Sequence, residues 1–189
     1  MRARANFSFC ACASSSVANC PSRTRCHTLA RPLPETMSEK MSETIHATSI
    51  VIDGKAILLT GPSGSGKSDL ALRLIDHGAM LVSDDYTLVQ RDGDTLIARP
   101  PETIEGRMEV RGIGIVEMPH CPAAPVALIL DLSAPPDRMP DALSSRMIAD
   151  VDVPVLPFAP FEASAPIKVA LALDAFGLAT GDHGAASAS

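Results

Sequence analysis

Short apolar runs that end in glycine, aspartate or proline recur along the middle of this 189-residue chain, and they predict β-strands joined by tight turns. The first two runs, 48–52 and 55–59, flank Asp53-Gly54, a dipeptide typical of two-residue hairpin turns. If the residues on either side of this turn pair, the register places His46 opposite Gly61. His46 is then either an ordinary surface or core residue or a member of whatever site Gly61 helps to form.

A helix and a further strand are predicted directly after the second run. Apolar residues at i, i+4 spacing indicate a helix over 69–75 that stops at Gly78. The run 79–83 predicts a strand that ends in Asp84 and Asp85. In a parallel α/β unit this strand lies beside the preceding one, so the two acids reach the same sheet edge as the end of that strand. Successive strand residues point to opposite faces, so the two carboxylates need not share one task.

The remaining apolar runs complete the predicted elements. They are a second hairpin with strands 87–90 and 95–98 about Asp92-Gly93, a strand-like run at 108–115, a buried strand at 125–131, and a helix at 167–176 capped by Gly177. Glycines inside the run 108–115 indicate close approach of a ligand or another backbone. The predicted folded domain spans residues 43–179, between disordered segments at 1–42 and 180–189.

The turn between the second strand and the helix carries a complete phosphate-binding P-loop. Residues 61–68 read Gly-Pro-Ser-Gly-Ser-Gly-Lys-Ser, in the strand–loop–helix context that the motif requires. Its glycines let backbone N–H groups face phosphate oxygens at a helix N-terminus. Lys67 can reach the β- and γ-phosphates, and the Ser68 hydroxyl suits Mg²⁺. The chain is therefore predicted to bind a nucleoside triphosphate through Gly61, Pro62, Ser63, Gly64, Ser65, Gly66, Lys67 and Ser68, with Asp84 and Asp85 near its γ-phosphate.

Charge and cysteine content narrow the function classes. The formal net charge is −6, but residues 1–34 hold five arginines and no acid, so the remainder carries −6 − 5 = −11. An acidic body argues against nucleic acid as the main ligand, and no apolar run reaches membrane-spanning length. Cys121 is the one cysteine of the predicted domain, which argues against a disulfide scaffold and for a reducing cytoplasm.

Residues 1–36 differ in composition from the rest and contain four of the five cysteines. Three interpretations are open: an organellar transit peptide, a metal site, and an extension upstream of a true start at Met37 or Met41. The cysteine spacings fit no zinc template, and we favour the upstream extension.

Taken together, these motifs resemble the catalytic domain of the bacterial HPr kinase/phosphorylase family over residues 44–177. The resemblance rests on a histidine ahead of a hairpin, the P-loop, the segment 81–85 (LVSDD), and the segment 108–115 (MEVRGIGI), which looks like the family signature. It implies an α/β P-loop fold of the HPr kinase and phosphoenolpyruvate carboxykinase type, a mixed sheet with β-hairpins. It also implies an ATP- and Mg²⁺-dependent kinase of a serine in the phosphocarrier protein HPr, in a form with the catalytic domain alone that assembles as a homohexamer.

Carried over to the matching positions, the resemblance implies catalytic roles for four residues. Lys67 neutralises charge on the γ-phosphate, and Asp85 accepts the proton of the attacking serine hydroxyl. His46 lies beside the reaction centre, and Arg138 matches the family's catalytic arginine. For the metal, the resemblance implies Ser68 and Glu109 as associated groups and Asp84 at the ion or its water shell.

The segment 155–162 departs from the family pattern. It is expected to form a loop before the last helix, and it lacks the arginines that the long family members have there, which are associated with phosphate-driven dephosphorylation of phospho-HPr. Without these cations a second anion is harder to hold against an acidic surface. The chain is predicted to act as a kinase, with phosphorylase activity weak or absent.

Two alternatives remain open. A different P-loop enzyme, such as a small-molecule kinase, would use Asp131 at the end of 125–131 as its Mg²⁺ ligand, although Asp131 could also simply cap a strand end. The other alternative is a regulator that binds ATP without turnover. The joint presence of three candidate site residues argues against it, namely His46, Asp85 and Glu109. Replacing Asp85 or Asp131 by asparagine separates the first alternative from the HPr kinase hypothesis.

Overall fold

A computed structural model of the chain describes residues 42–140 and 142–179. The expectations for the cysteine-rich segment and for residues 180–189 lie outside these described residues. Neither of the two described helices has the length and apolar composition needed to cross a bilayer.

The described residues form ten strands and two helices. In chain order they are β1 (Ser42–Ile52), β2 (Lys55–Thr60), α1 (Lys67–Asp76), β3 (Met80–Ser83), β4 (Tyr86–Asp92), β5 (Thr95–Arg99), β6 (Arg107–Val110), β7 (Gly114–Glu117), β8 (Ala124–Asp131), β9 (Ser144–Ile148), β10 (Val151–Pro157) and α2 (Ala165–Phe176). Strands β9 and β10 form a hairpin that the apolar pattern did not predict.

A mixed sheet with the order β2-β1-β4-β5-β8-β10-β9 organises these elements, and β3 pairs with β1. Strand β2 also pairs with β8 in parallel, so β1, β2, β4, β5 and β8 close into a ring of paired strands. Strands β6 and β7 form a separate two-stranded hairpin. The mixed α/β sheet with β-hairpins confirms the predicted fold class.

The first hairpin has the predicted register. Ile52 pairs with Lys55, and the ladder continues to Ala47 opposite Thr60. It ends there, because the first half of the long strand β1 pairs with β4 instead. His46 therefore lies opposite Tyr86 rather than Gly61, and that part of the prediction was wrong.

The prediction that β3 lies beside β2 was also wrong, although the residues after β3 do reach the predicted sheet edge. Strand β3 pairs with β1, not with β2, since β1 and β8 already occupy the two edges of β2. Both β2 and β3 are antiparallel to β1 and so run in the same direction. The residues that follow β3 consequently lie at the sheet edge where β2 ends.

Three further segments differ in detail from the sequence pattern. The run 108–115 is not one strand but the hairpin β6–β7, in which Gly112 has a φ of +84° in the turn. In the second hairpin Asp92 pairs with Thr95, so the turn residues are 93–94. Residues 155–157 belong to β10, parallel to β8, so the predicted loop before α2 is confined to 158–164.

Both faces of the central sheet are buried, with neighbouring residues of β2 and β8 in different clusters. One cluster contains Ile57, Leu59, Leu128 and Leu130 of the sheet with Leu70 and Leu74 of α1 and Val169 and Leu173 of α2. The other contains Leu58, Ile129, Val51, Val89 and Val153. Burial on both faces fixes the end of β2, from which the P-loop starts.

The ends of the helices follow the glycines of the sequence. Gly78 has a φ of +100° after α1, and the Ala79 N–H donates to the carbonyl of Leu74, so glycine suits this position for its backbone conformation. Gly177 ends α2 as predicted but has an extended backbone, with a φ of −65° and a ψ of 140°, so its position does not depend on left-handed backbone.

Candidate active site

A cleft of about 440 Å³ lies where the P-loop, the residues after β3 and the β6–β7 hairpin meet. Eight of the predicted site residues line it, namely His46, Ser63, Gly64, Gly66, Lys67, Ser68, Asp85 and Glu109. The structure thus brings together residues that are up to 63 positions apart in the chain (109 − 46).

The backbone of the P-loop requires its glycines. Gly61 and Gly66 have φ values of +146° and +94°, which side-chain-bearing residues rarely adopt. A Cβ atom on Gly61 would lie 2.7 Å from the Ser65 hydroxyl, and one on Gly66 would lie 2.9 Å from Cζ of Phe161. Gly66 also precedes the first turn of α1, and none of the described side chains caps this turn. The backbone N–H groups there suit an anion such as a phosphate.

Lys67 is buried, with 5% of its surface exposed. Its ammonium group donates to the carbonyl oxygens of Gly61 at 2.9 Å and Pro62 at 3.1 Å. The charge is therefore held inside the curve of the loop, where it can neutralise phosphate and where the low exposure strengthens each electrostatic contact.

Asp84 ties three parts of the site together and is only 5% exposed. One carboxylate oxygen accepts hydrogen bonds from the Thr48 hydroxyl at 3.0 Å and the Ser68 hydroxyl at 3.2 Å. The other accepts the backbone N–H of Glu109 at 3.1 Å. The Asp84 carboxylate therefore holds the Ser68 hydroxyl and the β6–β7 hairpin in a fixed position relative to each other.

Asp85 points to solvent instead, with 52% of its side chain exposed. Its φ of +60° is left-handed, a conformation that aspartate tolerates better than most residues. A carboxylate oxygen lies 4.0 Å from Nε2 of His46, whose ring packs against Tyr86 with centroids 5.5 Å apart. The two neighbouring acids thus face different surroundings, one buried and hydrogen-bonded, the other open to the cleft.

A metal site must be assembled here with help from a ligand. The described residues contain no cluster of three or more His, Cys, Asp or Glu side chains that could hold a metal ion. Mg²⁺ typically takes one or two protein groups and completes its shell with water and substrate phosphates. Ser68 and Glu109 both line the cleft, and the Asp84 carboxylate accepts hydrogen bonds from the Ser68 hydroxyl and the Glu109 backbone N–H. The residues fit Mg²⁺ bound together with a nucleotide.

Two placements depart from the sequence reasoning. Arg138 is exposed in the proline-rich segment after β8, and it is not among the residues that line the cleft. Arg111 and Phe161, to which the sequence reasoning gave no role, do line it. The signature segment could have singled out Arg111, whereas no sequence signal singles out Phe161.

Asp131, the metal ligand of the rival kinase hypothesis, lies at the end of β8 and does not line the cleft. One of its oxygens accepts the backbone N–H of Ser133 at 2.9 Å and the Ser133 hydroxyl at 2.5 Å. These hydrogen bonds hold the pKa of the Asp131 carboxyl below its usual value. The geometry is that of a strand-ending turn and favours the capping interpretation.

We expect Asp131→Asn to leave nucleotide-dependent phosphate transfer intact and to change acid stability instead. Because the folded pKa is lowered from 3.8, the ionised Asp131 stabilises the fold fully above about pH 4, and this stabilisation is lost as pH falls through the folded pKa. Urea unfolding at pH 7 and pH 3 should show a smaller acid-induced loss in the variant. A variant that no longer transfers phosphate would instead support the rival hypothesis.

Comparison with known proteins agrees with this geometry. Residues 36–122 match the HPr Serine kinase C-terminal domain. The chain is 34% identical over 143 residues to HPr kinase/phosphorylase of Geobacillus thermodenitrificans, covering 68% of this chain and 46% of that protein. It is 45% identical over 75 residues to the Bacillus subtilis HPr kinase/phosphorylase, covering 39% and 24%. It spans less than half the length of these relatives.

A solved structure has a similar fold. The Hpr(Ser) kinase/phosphatase from Coxiella burnetii superposes with a TM-score of 0.62 and 29% identity, covering 70% of this chain and 89% of that one. The similarity therefore extends over most of that solved chain. In sequence and fold the chain is therefore similar to the HPr kinase/phosphorylases, and the part that matches their C-terminal domain contains the P-loop and the residues after β3.

Proposed function

We propose that this protein is an ATP- and Mg²⁺-dependent kinase that phosphorylates a serine of HPr. The observation that carries the proposal is one cleft lined by the P-loop and the open Asp85, in which the buried Asp84 accepts a hydrogen bond from Ser68. The names of the relatives supply HPr as the acceptor. We further propose a cytoplasmic location, to which the free thiol of Cys121 is suited, and a homohexamer, which rests on the resemblance alone.

In this proposal the P-loop holds the triphosphate of ATP. Backbone N–H groups at the start of α1 and the ammonium of Lys67 offset the phosphate charge. Ser68, positioned by Asp84, and Glu109 hold Mg²⁺. When bound, Mg²⁺ would offset negative charge on the phosphates and so favour transfer of the terminal phosphoryl group.

Asp85 is the proposed general base. As the serine oxygen of HPr bonds to the γ-phosphorus and the bond to ADP breaks, the serine proton passes to the Asp85 carboxylate. The exposure of Asp85 lets a protein acceptor reach it, and His46 lies near enough to interact with the same carboxylate. Arg138 stays a proposed catalytic group, which needs the 133–140 segment to approach the cleft.

We expect phosphate-driven dephosphorylation of phospho-HPr to be weak or absent. The cations that line the cleft in the described structure are Lys67 and Arg111, and the segment 158–164 before α2 contains no basic residue. A second anion beside the nucleotide would therefore meet few partners. The rates of both directions are compared with purified HPr, phospho-HPr and inorganic phosphate. A reverse rate equal to the forward rate would contradict this expectation.

The decisive experiment mixes the purified protein with Mg²⁺, labelled ATP and HPr. Acid-stable label on a serine of HPr supports the proposal. Label that persists in Asp131→Asn excludes the rival use of Asp131 as the metal ligand. If ATP binds but HPr stays unlabelled, the acceptor is a different molecule or the protein is a nucleotide-binding regulator.

A further inference from the structure

The loop before α2 places an exposed aromatic ring at the nucleotide cleft. Phe161 is 71% exposed, and its ring lines the cleft beside the P-loop. The ring edge rests on Gly66, where a Cβ atom would lie 2.9 Å from Cζ and 3.0 Å from Cε1 of Phe161. The absence of a side chain at Gly66 is therefore what admits the ring to this position.

The segment that carries Phe161 is attached to α1. The guanidinium of Arg73 donates to the carbonyl of Glu162 at 3.2 Å and to the carbonyl of Pro160, which are the two neighbours of Phe161. The same guanidinium pairs with Asp69 at 2.9 Å, in the first turn of the helix. The backbone on either side of Phe161 is thus attached to α1, and the phenylalanine ring itself takes no part in these hydrogen bonds.

The chemistry of the cleft leaves one part of a nucleotide without a partner. The cation Lys67 and the P-loop backbone suit phosphates, and Asp85 is the proposed base for the acceptor. The apolar side chains that line the cleft are Phe161, Leu72 and Val110. Leu72 lies one helical turn after Ser68, on the same face of α1, and so comes directly after the phosphate-binding residues of that helix. Arg73 of the same helix is hydrogen-bonded to the segment that carries Phe161.

We propose that Phe161 is the stacking platform for the nucleobase of ATP, with Leu72 as an apolar contact beside it. The proposal rests on the proposed ATP-dependent function and adds its base-binding subsite. An aromatic face attracts any base through its π-surface, and stacking of this kind needs no hydrogen bond to the base edge. Phe161 therefore increases the affinity for a nucleoside triphosphate but not the affinity for inorganic tripolyphosphate, which has no base.

The test compares Mg²⁺-ATP with Mg²⁺-tripolyphosphate by titration calorimetry. Phe161→Leu keeps an apolar side chain against Gly66 and removes the ring, and Phe161→Tyr keeps the ring. Stacking on one aromatic ring predicts that Phe161→Leu weakens ATP binding roughly 5- to 100-fold. Binding of tripolyphosphate should stay unchanged, and Phe161→Tyr should bind ATP like the parent protein. Phe176→Leu, at the end of α2 and outside the cleft lining, is the matched control.

A second readout uses the absence of tryptophan from the whole sequence. Phe161→Trp introduces a single indole, whose fluorescence should be quenched by ATP and unaffected by tripolyphosphate. Equal loss of affinity for both ligands in Phe161→Leu would show that the ring only supports the P-loop and would overturn the proposal. Unchanged ATP binding in that variant would overturn it as well.

These outcomes separate the subsite from the proposed function. If Phe161→Leu loses ATP selectively while the parent protein fails to phosphorylate HPr, the base subsite stands and the acceptor is wrong. If HPr is phosphorylated but both ligands weaken equally in Phe161→Leu, the kinase function stands and the subsite is wrong.

Discussion

Asp85→Asn is expected to abolish phosphate transfer to HPr while Mg²⁺-ATP still binds. An asparagine amide cannot take the serine proton, and loss of a positioned general base lowers rates on the order of 10²- to 10⁴-fold. The substitution should leave the backbone in place, because asparagine tolerates the left-handed φ of +60° at this position as aspartate does. Single-turnover transfer of labelled phosphate and calorimetric ATP binding measure the two effects separately.

The matched control for this prediction is Asp131→Asn, the same chemical change at a carboxylate that does not line the cleft. Asp85→Asn should lose transfer and Asp131→Asn should keep it. The reverse pattern would favour the rival small-molecule kinase. Transfer to HPr that survives in Asp85→Asn would show that another group, with His46 the nearest candidate at 4.0 Å from Asp85, takes the proton.

Local signals predicted the parts of the fold that depend on neighbouring residues. The Asp53-Gly54 turn determined the register of β1 with β2 correctly, because a two-residue turn leaves no freedom in the pairing beside it. Strand alternation led us to expect different surroundings for Asp84 and Asp85, and their exposures do differ. The cause is different, because both residues follow β3, which ends at Ser83, and Asp85 has a left-handed φ of +60°. The P-loop motif located the cleft, since its backbone conformation requires glycines at fixed positions.

Pairing between distant strands was beyond the reach of the pattern. Strand β1 pairs with β4 along its first half and with β2 and β3 along its second half, and no local signal shows where such a change occurs. That change accounts for both errors about β1: the expected place of His46 opposite Gly61 and the expected contact of β3 with β2. The place of Asp84 and Asp85 at the P-loop edge was still predicted correctly, because the direction of β3 alone brings the residues after it to that edge.

Exposed residues were the hardest part of the site to predict. Phe161 reads in the sequence as one more apolar residue, and only the structure gives its 71% exposure at the cleft rim. The proline-rich surroundings of Arg138 have no period that would fix where its side chain lies. Burial follows from hydrophobic patterning, whereas the position of an exposed loop depends on contacts such as those of Arg73.

Lys67→Met is expected to abolish transfer and to weaken Mg²⁺-ATP binding as well. Methionine has a similar length and suits a 5%-exposed position, so the variant removes the charge and little of the packing. Loss of one charge-stabilising group in the transition state lowers rates on the order of 10²- to 10³-fold. The carbonyls of Gly61 and Pro62 lose their donor, which costs about 1–3 kcal/mol of folding stability if they find no other.

Three measurements on Lys67→Met separate these effects: urea unfolding, ATP binding and single-turnover transfer. Lys55→Met, at the start of β2 and away from the cleft, is the control for loss of a lysine charge. Lys67→Met should lose both ATP binding and phosphate transfer, because Lys67 acts on phosphates that are present in the ATP-bound state and in the transition state. Asp85→Asn should lose transfer alone, because Asp85 acts on a proton that moves only during the reaction. Normal transfer in a folded Lys67→Met protein would contradict the proposed P-loop mechanism, whichever molecule accepts the phosphate.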